Sequence, residues 1–251
     1  MRTTAPPLAA LLLTTLLGGP PAAGADFMGR PLAQTMSHQG APWLTRDSRM
    51  REERPDLLWP WLDLAPGDAA CDIGAGNGFH TLVMAQAIAP GGVAWAVDIQ
   101  PEMLTLLDAR ATEAGVDNVR PVQGTQTETR LPPATCDVAL LVDVYHEFSD
   151  PAAMLGSLRE SLKPAGRLVL VEYRAEDPAV PIKALHKMTK AAAHRELTAH
   201  GFKLVGQLDA LPWQHALAYQ RDDGPDPAQE PTPWTPQTAS PTPPMPTPPP
   251  R

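Results

Sequence analysis

Residues able to do chemistry crowd one stretch, "CDIGAGNGFHT" from Cys71 to Thr81, where Gly74, Gly76 and Gly78 alternate directly after a short apolar run. Glycines in a loop that leaves a strand for a helix let the backbone approach a ligand closely and take positive φ. The dinucleotide fingerprint G-x-G-x-x-G would need its third glycine where Phe79 stands, so the register is D-x-G-x-G-x-G instead. Asp72, two residues before the first glycine, would oppose a pyrophosphate but pairs well with an ammonium group. Asp98, 20 residues beyond Gly78 in "VDIQPEM", ends a second strand, where a carboxylate can take both hydroxyls of a ribose. The set suits a nucleoside with a cationic amino-acid end better than a dinucleotide. Further on, "DVYHEF" puts Tyr145, His146 and Glu147 just past another strand end. An imidazole with an unperturbed pKa of ~6.5 accepts a proton near neutrality, which makes His146 the candidate base. Packing or a backbone hydrogen bond is its competing role.

The elements that must position these residues alternate between strand and helix. Apolar runs at 69–74, 93–99, 119–124, 136–144 and 166–174 read as strands, separated by helical stretches such as "HTLVMAQAIA", "PEMLTLLDARATEAG" and "PAAMLGSLRESLKPAG". That alternation is the signature of a parallel sheet built from βαβ units. Pro101 and Pro151 suit first helical turns, and Gly115 and Gly166 suit helix ends. After a final helix, two strands follow with no helix between them, which implies an antiparallel hairpin at the sheet edge. The expectation is an α/β fold of seven strands, mostly parallel, with an antiparallel last strand.

Both ends of the chain differ from this pattern. Of 31 prolines in 251 residues, 12 lie between Pro225 and Pro250, so residues 222–251 read as an extended, disordered Pro/Thr-rich tail, a spacer or a contact with the envelope. Residues 1–25 carry Arg2, a short apolar core and small residues at Ala23 and Ala25, the pattern of a signal peptide, with translation from Met28 or Met36 as the competing start. Export, to a periplasmic or extracellular place, follows from the first reading and a cytoplasmic place from the second. Residues 26–66 read as an N-terminal helical cap and 67–221 as the ligand-binding domain. The formal net charge of −8 leaves no basic footprint for nucleic acid, and no segment is long and apolar enough to make an integral membrane protein.

The motifs "CDIGAGNG", "AVDIQPEML", "CDVALLVDVYHEF" and "LKPAGRLVLVEYR", in that order, resemble those of class I S-adenosylmethionine-dependent methyltransferases. The chain is most similar to the ubiquinone-biosynthesis type, in particular a secreted subgroup with "YHEF" and "EYR". The resemblance implies a seven-stranded Rossmann-like sheet with helices on both faces, S-adenosyl-L-methionine as cofactor, and a small-molecule methyl acceptor. It implies Gly74, Gly76 and Gly78 against the cofactor, Asp72 near its amino-acid end, Asp98 on the ribose and Ile99 beside the adenine. The acidic residue usual after Gly124 is Thr125 here, so Gln126 or the Thr125 hydroxyl would meet the adenine amino group. Asp143 and Val144 would close the site beneath the methyl group, with Tyr145 and His146 as catalytic residues.

Further candidates carry two readings each. Glu172, Tyr173 and Arg174 either orient an acceptor or salt-bridge to "IKALHKM", and Trp213 and His215 read as core and turn residues, with ligands as the competing role. The histidines show no metal-ligand spacing, so no metal is expected. Cys71 and Cys136 are expected to be free thiols, because Cys71 lies near the carboxyl end of its strand and Cys136 starts its own, and a stagger on the order of 10 Å exceeds the ~7 Å limit for a bridge. Two other functions compete with methyl transfer: a non-catalytic exported module that binds a nucleoside or a partner, and an NAD-dependent oxidoreductase, disfavoured by Asp72 and Phe79.

Overall fold

A computed structural model describes residues 26–226. The expected signal peptide, and all of the expected tail beyond Asp226, lie outside the described residues. The described residues open with a two-stranded hairpin, β1 (Asp26–Phe27) and β2 (Arg30–Pro31), and three short helices, α1 (Ala41–Leu44), α2 (Arg49–Glu52) and α3 (Pro55–Trp61). The cap is therefore helical only from about His38 onward. The alternating part follows as β3 (Ala69–Ile73), α4 (Phe79–Ala87), β4 (Val93–Asp98), α5 (Pro101–Glu113), β5 (Val119–Gln123), β6 (Cys136–Val142), α6 (Pro151–Ser161) and β7 (Leu162–Tyr173). It closes with α7 (Lys190–Ala199), β8 (Phe202–Leu208) and β9 (Gln214–Arg221).

Seven strands form one sheet in the order β5-β4-β3-β6-β7-β9-β8. Pairing is parallel from β5 to β7, while β9 runs antiparallel to both β7 and β8. The last strand thus inserts inside the sheet and leaves β8 at the edge. Strand order reverses between β3 and β6, and open α/β sheets bind ligands in the crevice at such a switch point.

Strand alternation explains how the sheet is covered on both sides. Ala70, Ala94, Val138, Leu140 and Val169 face α3, α4 and α5 through Leu58, Met84, Ile88 and Leu107. Their neighbours Cys71, Ile73, Leu141, Leu168 and Leu170 face α6 and α7 through Leu155, Leu158 and Leu197. Side chains of period two on a strand buried on both faces give the near-continuous apolar runs seen in the sequence. Helix starts are fixed locally: Asp150 accepts from the Ala153 amide and Thr189 from the Ala192 amide, each satisfying a first-turn donor.

Two expectations are corrected. Helix α6 ends at Ser161, well before Gly166, and "LKPAG" continues as the first half of β7. The cysteines are not free: Cys71 and Cys136 form a disulfide with Cα atoms 5.8 Å apart. Strand β6 is not straight: its pairing with β7 shifts register between Cys136 and Val138, and this irregularity at the strand's start accompanies the close approach.

Candidate active site

The glycine loop is tied to the neighbouring strand before it meets any ligand. The amides of Gly74 and Ala75 both donate to the Val97 carbonyl, at 2.8 and 3.0 Å. Gly74, Gly76 and Gly78 take φ of 73°, 53° and 83°, the region that favours glycine. A methyl on Gly74 would collide with Val144, and one on Gly76 would come within 2.6 Å of Leu44 Cδ1. Gly74 and Gly76 line a cavity of about 570 Å³ at the carboxyl ends of the strands, within the range of a cofactor-sized site. Gly78 does not line it: it starts α4, with Leu107 Cγ 2.8 Å from where a Cβ would be.

The two expected carboxylates differ in position. Asp98 lines the cavity, its Oδ2 accepting from the Gly76 amide and its Oδ1 from the Gln100 amide, each at 2.9 Å. Burial raises its pKa, against the backbone amides of Gln100, Gly76 and Ile99, which favour the charge. Asp72 lies behind the loop and outside the cavity lining, and its Oδ2 accepts from the Thr81 hydroxyl at 2.6 Å. Burial pushes it up to about 6, with the Thr81 hydrogen bond and the Arg49 charge opposing and Asp98 adding. Ile99, Thr125 and Gln126 line the cavity as well. The Thr125 hydroxyl is already engaged, accepting from the Glu128 and Thr127 amides at 2.9 and 3.2 Å, so Gln126 is the freer of the two.

The cap forms the opposite wall. Arg49 binds Glu53 at 2.7 Å, Arg46 binds the same carboxylate at 2.7 Å, and the Tyr173 hydroxyl donates to Glu53 at 2.9 Å. This buried network fastens α2 to the end of β7. Asp143, at the end of β6, takes a positive φ of 52°, uncommon for a non-glycine residue. One of its oxygens accepts from Gln214 Nε2 at 2.7 Å, while its buried Oδ1 has no partner. Burial raises its pKa well above the usual range, and the Glu53 and Glu172 charges add to the rise.

Past Asp143, a tight helical turn at Tyr145–Glu147 sends consecutive side chains in different directions. Tyr145, expected at the reacting methyl group, is fully buried away from the cavity: its hydroxyl donates to Glu196 at 3.0 Å, and Arg30 packs over its ring. His146 lines the cavity, with its Nδ1 2.6 Å from Glu172 Oε2 and its backbone amide donating to Glu172 Oε1. Burial alone would lower the His146 pKa, but the Glu172 charge and hydrogen bond outweigh it and the net shift is upward. Glu147 is pushed up to about 7, chiefly by burial. His186, from the loop between β7 and α7, brings its Nδ1 to 3.0 Å from His146 Nε2, a meeting no sequence spacing announces. Arg174 donates to the carbonyls of Gln214, Asp209 and Leu211 and belongs to the scaffold. His215 is wholly buried, and burial with the Arg174 and Lys190 charges takes it down to about 3.

A family model described as a methyltransferase domain matches residues 64–221, more than half of the chain. The chain belongs to that family. This methyltransferase is 29% identical over 174 residues to the uncharacterized methyltransferase YcgJ of Bacillus subtilis, covering 67% of this chain and 68% of that protein. It is 24% identical over 162 residues to the ubiquinone biosynthesis O-methyltransferase of Xanthomonas euvesicatoria, covering 64% of this chain and 66% of that one. A protein-L-isoaspartate O-methyltransferase of Methanothrix thermoacetophila is 28% identical over 114 residues, which is 45% of this chain and 51% of the relative. In fold it is similar to a SAM-dependent methyltransferase from Aquifex aeolicus, with a TM-score of 0.70 and 19% identity, over 74% of this chain and all of the other. The family's cofactor is S-adenosyl-L-methionine, and neither competing function is favoured. The residues present fit that cofactor: a glycine cradle, a carboxylate on the cavity wall at Asp98, and an orphaned carboxylate oxygen at Asp143 suited to a cationic group. Among the described residues, no helix is long and apolar enough to cross a membrane.

Proposed function

We propose that this methyltransferase alkylates a small, apolar or aromatic acceptor docked at the His146 end of the cavity, with His146 as the base. The carrying observation is the His146–Glu172 pair, which fixes the ring on the cavity wall and leaves Nε2 turned away from the carboxylate. Trp43, Phe148 and Ile182 line the cavity and supply apolar walls for such an acceptor. The cofactor supplies an electrophilic methyl group on a sulfonium. Asp98 would hold the ribose end, Gln126 would meet the adenine, and Asp143 with Glu53 would face the cationic end. Positioning provides much of the acceleration, and a base adds about 10²- to 10⁴-fold where the acceptor must lose a proton. His146 Nε2 takes that proton, and Glu172 stabilises the imidazolium that results.

Its place is an exported one. The buried Cys71–Cys136 disulfide supports this reading, since such bonds persist in oxidising compartments, and so does the apolar leader expected at residues 1–25. Cell fractionation with N-terminal sequencing tests it, and a mature chain found only in the cytoplasm would sink it. For the chemistry, a panel of phenols, thiols and amines is incubated with S-adenosylmethionine carrying a labelled methyl group. On an acceptor so found, His146→Gln should lose at least about a hundredfold in kcat while keeping its affinity for the cofactor. Full turnover in this variant would remove His146 from the mechanism.

A further inference from the structure

His146, Glu147 and His186 meet at the acceptor end of the cavity, and their ligand atoms face one another, the two imidazole nitrogens sharing a hydrogen bond. His146 Nε2 lies 3.0 Å from His186 Nδ1 and 4.0 Å from Glu147 Oε1, and His186 Nδ1 lies 3.6 Å from the same oxygen. We infer that these three atoms form a binding site for one divalent transition-metal ion, of which zinc is the type.

Size supports the assignment. The circle through the three atoms has a radius of about 2.1 Å, the length of a zinc–nitrogen or zinc–carboxylate bond, so an ion fits with almost no movement of the ligands. Two imidazoles and one carboxylate are donors that suit zinc and its transition-metal neighbours better than magnesium or calcium.

The surroundings are built for ligands rather than for three side chains in chance contact. Glu172 Oε2 sits 2.6 Å from His146 Nδ1, the carboxylate–histidine arrangement that fixes the tautomer and directs the other nitrogen's lone pair at an ion. Glu147 Oε2 accepts from the Met36 amide at 3.2 Å, which leaves Oε1 for the histidines. Glu147 and Glu172 together offset the charge of a divalent ion. All three ligand residues line the cavity, so an ion held by three ligands keeps an open position toward it. The sequence alone gives no hint, because two ligands are adjacent and the third comes from a loop 40 residues away.

The ion and the acceptor's proton would use the same lone pair on His146 Nε2. Resting on the methyl-transfer reading above, the consequence is that zinc occupancy blocks acceptor deprotonation and inhibits turnover until a chelator removes the ion.

The test is calorimetric titration of zinc chloride into the tag-free, chelator-stripped full-length protein, with S-adenosylmethionine titrated into a second portion. One zinc per chain is expected, with affinity at least about tenfold weaker in both His186→Ala and Glu147→Gln. His186 lies in a partly exposed loop, so its substitution spares the core. No zinc binding, or binding unchanged in both variants, would overturn the site. Zinc binding without cofactor binding would keep the metal site and sink the methyl-transfer reading, so the two failures are distinguishable.

Discussion

Replacing Asp72 by asparagine should stabilise this protein at pH 8 and turn to a modest destabilisation at pH 4 or below, where the native carboxyl is already neutral. Asp72 is buried, and burial lifts its pKa to about 6, against ~3.9 for a free carboxyl group. A raised value means that the folded state holds the proton more tightly than the unfolded chain does. Stability from this group is therefore fully present below the unfolded pKa, declines through the interval between ~4 and about 6, and is absent above it. The separation of roughly two units sets a ceiling of about 3 kcal/mol for the gain from removing the charge. Asparagine keeps an acceptor for the Thr81 hydroxyl but brings an amide donor that needs a partner, so about 1–2 kcal/mol is expected, a rise of roughly 3–6 °C in Tm. Denaturant unfolding of both proteins at pH 4, 6 and 8 measures the difference directly. Other buried carboxylates titrate in both proteins and largely cancel. Equal stability at pH 8, or a gain that persists at pH 4, would refute the claim that desolvation of Asp72 strains the loop.

Other expectations follow from the same packing. Gly74→Ala demands a β-carbon where Val144 already sits, at a φ of 73°, and should cost several kcal/mol, on the order of an overpacked core site with left-handed strain added. Gly74→Ala combined with Val144→Ala should recover part of that loss in thermal unfolding, and no recovery would place the collision elsewhere. The native chain should weigh two hydrogens less than the reduced chain in intact mass measurement, since Cys71 and Cys136 are bonded. With a sequence separation of 65 residues, reduction should remove up to about 4 kcal/mol of stability in denaturant unfolding if loop closure dominates.

Much of the fold was legible because its signals are local. The apolar runs, the proline helix starts and the terminal hairpin each have short-range causes, and the glycine register with Asp98 points to residues that line the cavity at the strand switch. What failed depended on geometry that spacing cannot convey. The cysteines meet near a register shift at the start of β6, and Tyr145 turns into the core because a tight helical turn separates it from His146. Asp72 keeps its place in the motif, yet its side chain lies behind the loop on Thr81. Glu172 and His186 join His146 only after β6 and β7 are paired and the long loop folds back, which no run of residues records.

Calorimetric titration with S-adenosylmethionine, on the wild type and Asp98→Ala and in parallel with NAD, tests the central claim most directly. One-to-one binding in the micromolar range is predicted for the wild type, with at least about a hundredfold loss in the variant, whose Gly76 and Gln100 amides lose their shared acceptor, and no response to NAD. Unchanged affinity in a folded Asp98→Ala variant, or binding of NAD in place of S-adenosylmethionine, would contradict it.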